Sequence, residues 1–384
     1  MKVLYVYADK PEEFNCSRWN CIIGSNSINN LPNHESIVLS IKEFIKNEKK
    51  SQNLCLGADI IVVERNFFSD ALTVMQYWKV RNKTILAIFD DAYDLIEKNN
   101  PSYNFWREGT VDAKNKKTGE VKKALMKPHP MDQFKWALKI AKGIQVPSVN
   151  LAKDWSKYNN TYYIHNFLDM DTYLNVEPLY PHPKEEIYIG WCGSMSHHYS
   201  FENSGVVRAL KIIAKRYPQV KVLISGDKRL FDMIDVENKM FSKFVPPKKW
   251  TSLLKSLDIG LAPLSGEYDK RRSWIKTLEY MALKVPWIAT NYITYDEVKD
   301  YGIMTENGAY NWVNSITDMI ENYDCYKKIA DTEGFEFAKK QSSYEKVKTI
   351  TIPFYEKLIN MPYSNFPNEN TKAYLDVEKL VLDK

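Results

Sequence analysis

Ser273, Lys276 and Glu279 step along one side of a stretch, residues 261–290, that reads LAPLSGEYDKRRSWIKTLEYMALKVPWIAT. Ile275, Leu278 and Ala282 recur at i, i+3 and i+7, one helical face, and the three polar residues fall on another. A helix N-terminus attracts phosphate through its unpaired N–H groups and its dipole. A serine hydroxyl and a lysine ammonium there add a hydrogen bond and a charge. Glu279 stands six residues beyond Ser273, about 9 Å along the axis at ~1.5 Å per residue, where a carboxylate suits a pair of sugar hydroxyls such as a ribose diol. The same spacing also suits an ordinary solvated face carrying a Lys276–Glu279 pair.

Other residues offer chemistry. Asp90, Asp91 and Asp94 follow an apolar run and suit either ligand binding or helix capping. Adjacent carboxylates at 90 and 91 could ligate magnesium, but no second cluster supports that. Glu64-Arg65 ends a neighbouring run and reads as cleft-facing or as a surface ion pair. Arg18-Trp19 lies in the loop after the first run. His197 and His198 could touch a ligand or move a proton, or stand merely exposed. Asp227-Lys228 suits a base pocket or a solvated turn. Residues 98–128 carry Lys114, Lys116, Lys117, Lys122, Lys123 and Lys127 and read as an inserted loop, either a solvated one or a flap steering a polyanion. Phe105 and Trp106 just before it could stack on a sugar or base.

The elements that must hold these residues alternate. Residues 3–8, 59–64, 84–89 and 143–147 read as buried strands, with helices near 34–49, 68–79 and 133–142. A proline-rich stretch through Pro178, Pro181 and Pro183 reads as a linker. The rhythm restarts with strands at 187–192, 220–225, 241–245, 259–262 and 287–290. Helices fall near 205–216, 249–256, 272–283, 310–321, 325–340 and 344–358, before a polar tail from Pro362. Strand–helix alternation of this kind predicts parallel sheets covered on both faces. Acidic residues just past a buried strand then sit at the carboxyl edge, where open α/β folds bind ligands.

Composition bounds the class. The 384 residues are 44% hydrophobic and 26% charged, with formal charge +5, which permits an anionic partner without demanding nucleic acid. The 25 tyrosines and 10 tryptophans suit either carbohydrate stacking or bulky cores. Five cysteines without a CxxC pair give neither a disulfide framework nor a zinc site. No run approaches the ~20 apolar residues of a membrane helix. A soluble cytoplasmic protein is expected.

Residues 258–290, with DIGLAPL followed by KRRSWIKTLEYMALKVPWIAT, resemble the donor-binding signature of family 4 glycosyltransferases of the GT-B fold. Gly190-Trp191-Cys192-Gly193-Ser194 resembles the glycine turn after the first strand of that fold's second domain. His165-Asn166-Phe167 resembles its linker motif, and residues 144–148 the strand end of its first domain. The resemblance implies two Rossmann-like domains across a cleft. These are an acceptor domain at 1–170 (with the basic insert 98–128), a nucleotide-sugar domain at 171–345, and a helix and tail at 346–384 crossing back to the first.

The resemblance further implies transfer of a sugar from a UDP- or GDP-linked donor, usually with retention and without a metal or other cofactor. Gly193, Ser194, Ser273, Lys276, Glu279 and Arg272 become donor-binding candidates, with Glu279 on the ribose. Lys276 and Arg271 become candidates for stabilising the leaving diphosphate. Asp91 joins them as a catalytic candidate, and Arg18, Glu64, Asp90, Asp94 and His197 are candidates on the acceptor side. The family pattern is Glu-x7-Glu; Arg271 replaces its first glutamate here, leaving Glu267 or Asp269 as substitute carboxylates. The acceptor stays open between a saccharide, a lipid-linked glycan and a hydroxymethylated DNA base, and the oligomeric state is open. A non-catalytic GT-B-like binding protein and a GT-B epimerase acting on the nucleotide sugar fit the same residues.

Overall fold

The computed structural model describes residues 1–10, 16–114, 118–363 and 374–382. Two compact units divide the chain. The first takes residues 1–98, 102–167 and 343–384, and the second takes residues 99–101 and 168–342. Lys116 and Lys117 of the basic insert lie outside the described residues, as does most of the tail beyond Pro362.

The first unit is built on β1 (Lys2–Tyr7), β2 (Glu35–Ser40), β3 (Ile60–Glu64), β4 (Thr84–Ile88), a hairpin of β5 (Thr110–Lys114) and β6 (Val121–Leu125), β7 (Gly143–Val146) and β8 (Thr161–Tyr163). Its main sheet runs β8-β7-β4-β3-β1-β2 in parallel, extended beyond β8 by a strand from the chain's last residues, Tyr374–Asp376. Every residue of β3 and β4 is buried, as a sheet covered on both faces requires. The helix Ile352–Asn360 packs on this unit's core through Phe354, Tyr355 and Leu358.

Two expectations fail here. Residues 34–49 divide into the edge strand β2 and the helix Ile41–Lys46. Ser40 starts that helix with a capping box: its hydroxyl accepts from Glu43 N, and the Glu43 carboxylate accepts from Ser40 N. The insert is also no open loop: it carries the helix Tyr103–Glu108 and the β5–β6 hairpin.

The second unit contains β9 (Ile187–Cys192), β10 (Val220–Ser225), β11 (Lys239–Ser242), β12 (Ile259–Ala262), β13 (Trp287–Thr290) and β14 (Ile303–Thr305), all parallel in the order β11-β10-β9-β12-β13-β14. The helices Val206–Arg216 and Ala309–Glu321 cover its core. Trp78, Trp155, Trp191, Trp250, Trp287 and Trp312 are all fully buried, so much of the aromatic richness fills the two cores. No helix among the described residues is long and apolar enough to cross a membrane.

Candidate functional site

In the second unit, the carboxyl ends of β9, β10 and β12 bring the candidate donor residues together. The turn after β9 needs its glycines. A Cβ on Gly193 would lie 2.3 Å from the Trp191 ring, and one on Gly226, at φ +96°, would lie 2.0 Å from the Gly193 carbonyl. Backbone can thus pass where a side chain could not. Ser194 beyond the turn is exposed and its hydroxyl is 2.9 Å from that of Ser196.

After β12 the chain forms a short helix, Gly266–Asp269, a turn, and the helix Ile275–Ala282. The second helix starts later than expected, so Ser273 precedes it and does not cap it; Trp274 takes the N-cap position. Asp269 is buried at the end of the short helix. Its Oδ1 accepts from Arg272 Nε at 2.7 Å, and its Oδ2 accepts from Ser200 Oγ at 2.5 Å and Ser265 N at 2.8 Å. The ion pair spans the turn between the two helices. Arg272 Nη2 then donates to Ser196 O at 3.0 Å, tying this turn to the loop after β9.

Lys276 reaches the same loop. Its ammonium donates to Cys192 O at 2.6 Å and lies 3.5 Å from Oε2 of Glu279. Glu279 is buried, not solvated: Oε1 accepts from Trp250 Nε1 at 2.6 Å and from the Tyr173 hydroxyl at 3.0 Å. Oε2 faces the Lys276 charge, which compensates a carboxylate taken out of water.

Arg271, standing where the family has its first glutamate, folds back instead. Its Nη1 donates to Glu267 O at 2.9 Å and to Glu267 Oε2 at 2.6 Å. Glu267 also accepts from Lys270 at 2.6 Å. Of the two substitute carboxylates, Asp269 is committed to protein partners, and Glu267 is exposed beside Arg271.

His197 follows the glycine turn, its ring 5.2 Å from that of Trp191. Nδ1 is shielded from solvent and has no hydrogen-bond partner. Burial, with help from the Arg272 and Lys276 charges, holds the imidazole well below its ordinary pKa, so it stays neutral. His198 Nδ1 lies 3.8 Å from Glu202. Asp227 is buried, caps the helix Lys228–Met233 through Arg229 N, and pairs with the Arg229 guanidinium at 2.7 Å.

The first unit gathers a separate cluster. Glu64 at the end of β3 is fully buried. Its Oε2 accepts from Ala8 N at 2.8 Å and from the Ser17 hydroxyl, and its Oε1 accepts from Asn20 Nδ2 at 3.1 Å. Desolvation outweighs these bonds and raises its pKa to about 7. Arg65 pairs with Asp9 and lies 4.0 Å from Asp90. Asp90 also accepts from the Tyr93 hydroxyl at 3.4 Å. Asp91 precedes the short helix Tyr93–Leu95, which contains Asp94. Arg18 is half-buried on the helix Arg18–Ile22.

Phe105 and Trp106 are not free to stack on a ligand. Trp106 stacks on Tyr93 at 4.2 Å, and Phe105 packs on Phe68 at 4.9 Å. Trp250, Tyr173, Ser200, Ser17 and Asn20 all enter these two clusters without a sequence signal, since the residues that they contact are mostly remote in the chain.

Residues 186–322 match the family model described as glycosyl transferases group 1. No curated protein matches the chain. Among solved structures, Alr3699/HepE of Anabaena, in complex with UDP and glucose, is similar at 14% identity. It has a TM-score of 0.60 over 94% of this chain and 100% of that one. TarM of S. aureus, a mutant in complex with fondaparinux, alpha-GlcNAc-glycerol and UDP, is 14% identical with TM-score 0.53 over 83% of this chain and 58% of that one. The UDP-GlcNAc 2-epimerase of Neisseria meningitidis, bound to UDP-GlcNAc, is 13% identical with TM-score 0.53 over 93% and 100%. Two parallel-sheet Rossmann-like units and the likeness to these structures give the chain the GT-B fold, and the match to the glycosyl transferases group 1 model lies within its second unit.

Proposed function

We propose that the chain transfers a sugar from a nucleotide-diphosphate sugar, UDP-linked in the first instance, to an acceptor hydroxyl. The observation that carries this reading is the grouping of Lys276, Glu279 and Arg272 against the glycine turn at Gly193 in the second unit. In this reading the ribose hydroxyls donate to Oε2 of Glu279, whose Oε1 is held by Trp250 and Tyr173. The diphosphate meets the Lys276 ammonium, the Arg272 guanidinium, Ser273, Ser194 and the amides after Gly193. Cations already fixed by protein partners cost little reorganisation as charge develops on the leaving diphosphate. Attack on the face the diphosphate leaves gives retention and asks for little protein base; no resident metal is invoked.

In this reading His197, neutral and beside the glycine turn, lies against the transferred sugar. Arg271, engaged with Glu267, becomes a determinant of which sugar is accepted rather than a diphosphate contact. In the first unit Asp91, with Asp90, Asp94, Glu64 and Arg18, is assigned to the acceptor side. UDP supports this donor class because the HepE and TarM structures contain it. Isothermal titration of the full chain with UDP, GDP and their glucose and N-acetylglucosamine conjugates tests it. Binding of a UDP-sugar that Glu279→Gln weakens at least tenfold supports the reading; equal binding by the variant sinks it.

A second reading is epimerisation of the nucleotide sugar itself, favoured by the comparable likeness to the Neisseria epimerase. Product analysis with donor alone separates the two: an epimerised nucleotide sugar formed without acceptor supports the second.

A further inference from the structure

The β5–β6 hairpin of the first unit is mounted firmly and packed sparsely. At its base Trp106 stacks on Tyr93 with ring centroids 4.2 Å apart, and Phe134 stands edge-on to both. Gly109 ends the helix Tyr103–Glu108 at φ +67°, its N–H donating to Phe105 O at 3.1 Å and its carbonyl accepting from Met126 N at 2.8 Å. A Cβ there would lie 2.7 Å from the His129 ring, so the strands leave the body at a point that favours glycine.

Beyond that base the strands bury little. Thr110 opposes Leu125, Asp112 opposes Lys123 and Lys114 opposes Val121, and residues two apart in a strand share a face. That face presents Val121 at 57% exposure and Leu125 at 66%, with Lys123 between them and Lys114 beside Val121. Val111 and Ala124 on the other face are half-buried, so the Val121–Leu125 face is the outer one. A two-stranded ribbon this exposed gains little from apolar burial within its own fold. Residues 110–125 hold five lysines against two carboxylates. Both carboxylates are already paired, Asp112 with Lys123 at 2.5 Å and Glu120 with Lys122 at 3.3 Å. Lys114 and Lys127 have no carboxylate in ion-pair reach among the described residues.

We infer that the outer face formed by Lys114, Val121, Lys123 and Leu125, with Lys127 just beyond the strand end, docks on an anionic lipid bilayer. Such a surface supplies what both residue types need: negative headgroups for the lysines and an acyl boundary for the two aliphatic side chains. A soluble polyanion such as duplex DNA would meet the lysines and gain nothing from Val121 and Leu125. Symmetric pairing with a second copy would set the lysines against one another. The donor residues of the second unit play no part in this contact, so it stands apart from the proposed transfer.

Co-sedimentation of the full chain with vesicles tests this, using phosphatidylcholine alone and phosphatidylcholine with one quarter phosphatidylglycerol. The expected result is binding to the anionic vesicles only, weakening as salt rises. A lysine near an anionic surface contributes about fivefold, so Lys114→Gln with Lys127→Gln should weaken binding roughly tenfold or more. Val121→Ser with Leu125→Ser should weaken it by about fivefold or more, because the aliphatic contact with the acyl boundary is lost. All four substitutions are at exposed positions and should leave the urea midpoint unchanged; either pair alone keeps the test alive. Absence of binding to anionic vesicles overturns the inference, as does binding that both pairs leave intact. Binding that only the lysine pair weakens, and that duplex DNA displaces, identifies a polyanion site instead. A dimer in light scattering that Val121→Ser with Leu125→Ser dissolves, without vesicle binding, assigns the face to a second copy and overturns the inference too.

Discussion

Trp250 donates its indole N–H to Oε1 of Glu279 across 2.6 Å, between two fully or nearly fully buried side chains. A carboxylate held this way has one oxygen fixed and the other, Oε2, oriented toward Lys276. The indole therefore does for Glu279 what a second layer of ligands does for a metal-binding histidine: it sets direction.

Trp250→Phe removes a hydrogen bond to a charged acceptor, worth about 1.5–3 kcal/mol, and leaves a small void. The unfolding free energy in urea should fall by about 2–4 kcal/mol. In a double-mutant cycle with Glu279→Ala, the two losses should be less than additive, because they remove the same bond. Strict additivity would show that the indole stabilises through packing alone.

Lys276 and Glu279 should divide the nucleotide between them. Lys276→Met should weaken UDP at least tenfold and leave uridine nearly unchanged, since an ammonium near a diphosphate has no work to do on a nucleoside. Glu279→Gln should weaken both, because the ribose is common to them. Titration calorimetry reads the four affinities. An equal loss of UDP and uridine in Lys276→Met would place the lysine in a structural role, through its bond to Cys192 O at 2.6 Å.

The neighbouring charges separate by burial. Asp269 is buried and Glu267 is exposed, while their partners Arg272 and Arg271 are both half-buried. Removing one partner of a buried pair typically costs about 3–5 kcal/mol, and an exposed pair is worth ~1 kcal/mol or less. Asp269→Ala should therefore lower stability by several kcal/mol and free Arg272 from the loop after β9. Glu267→Ala should leave stability within about 1 kcal/mol and alter which donor sugar is turned over. Chemical denaturation and a donor panel check both; comparable destabilisation by the two variants would defeat the distinction.

What was legible in the chain was whatever depends on local period. The strands 187–192, 220–225 and 259–262 announce themselves because buried parallel strands are continuous apolar runs, and the helix carrying Lys276 and Glu279 shows its apolar face at i, i+3 and i+7. What was not legible depends on distant partners. Glu279 reads as a solvated residue beside Lys276, yet it is buried because Trp250 and Tyr173, 29 and 106 residues away, converge on it. Ser273 reads as the first turn of a helix, yet the helix starts only at Ile275. The edge strand Glu35–Ser40 reads as helix because an edge strand buries few side chains, here only Ser36 and Leu39, and so shows no clean alternation.

Glu64 gives a pH signature. Burial raises its carboxyl to about 7 from an ordinary 4.5. In the unfolded chain the group ionises near 4.5, while in the folded chain it keeps its proton until about pH 7. Between those values the unfolded state releases a proton that the native state holds, so the native state loses ground as pH rises. Below about 4.5 both states are protonated and above about 7 both are ionised, so the contribution is level outside that window. A shift of about 2.5 pKa units corresponds to at most about 3 kcal/mol at 1.36 kcal/mol per unit. Glu64→Gln cannot titrate. The stability of the parent minus that of Glu64→Gln should therefore decline from pH 4.5 to pH 7 by up to ~3 kcal/mol and stay flat above. Urea unfolding at half-unit pH steps measures this difference directly and cancels every other titrating group common to the two proteins. A difference independent of pH would mean that the Ser17, Ala8 and Asn20 hydrogen bonds suffice to keep Glu64 ionised in the core.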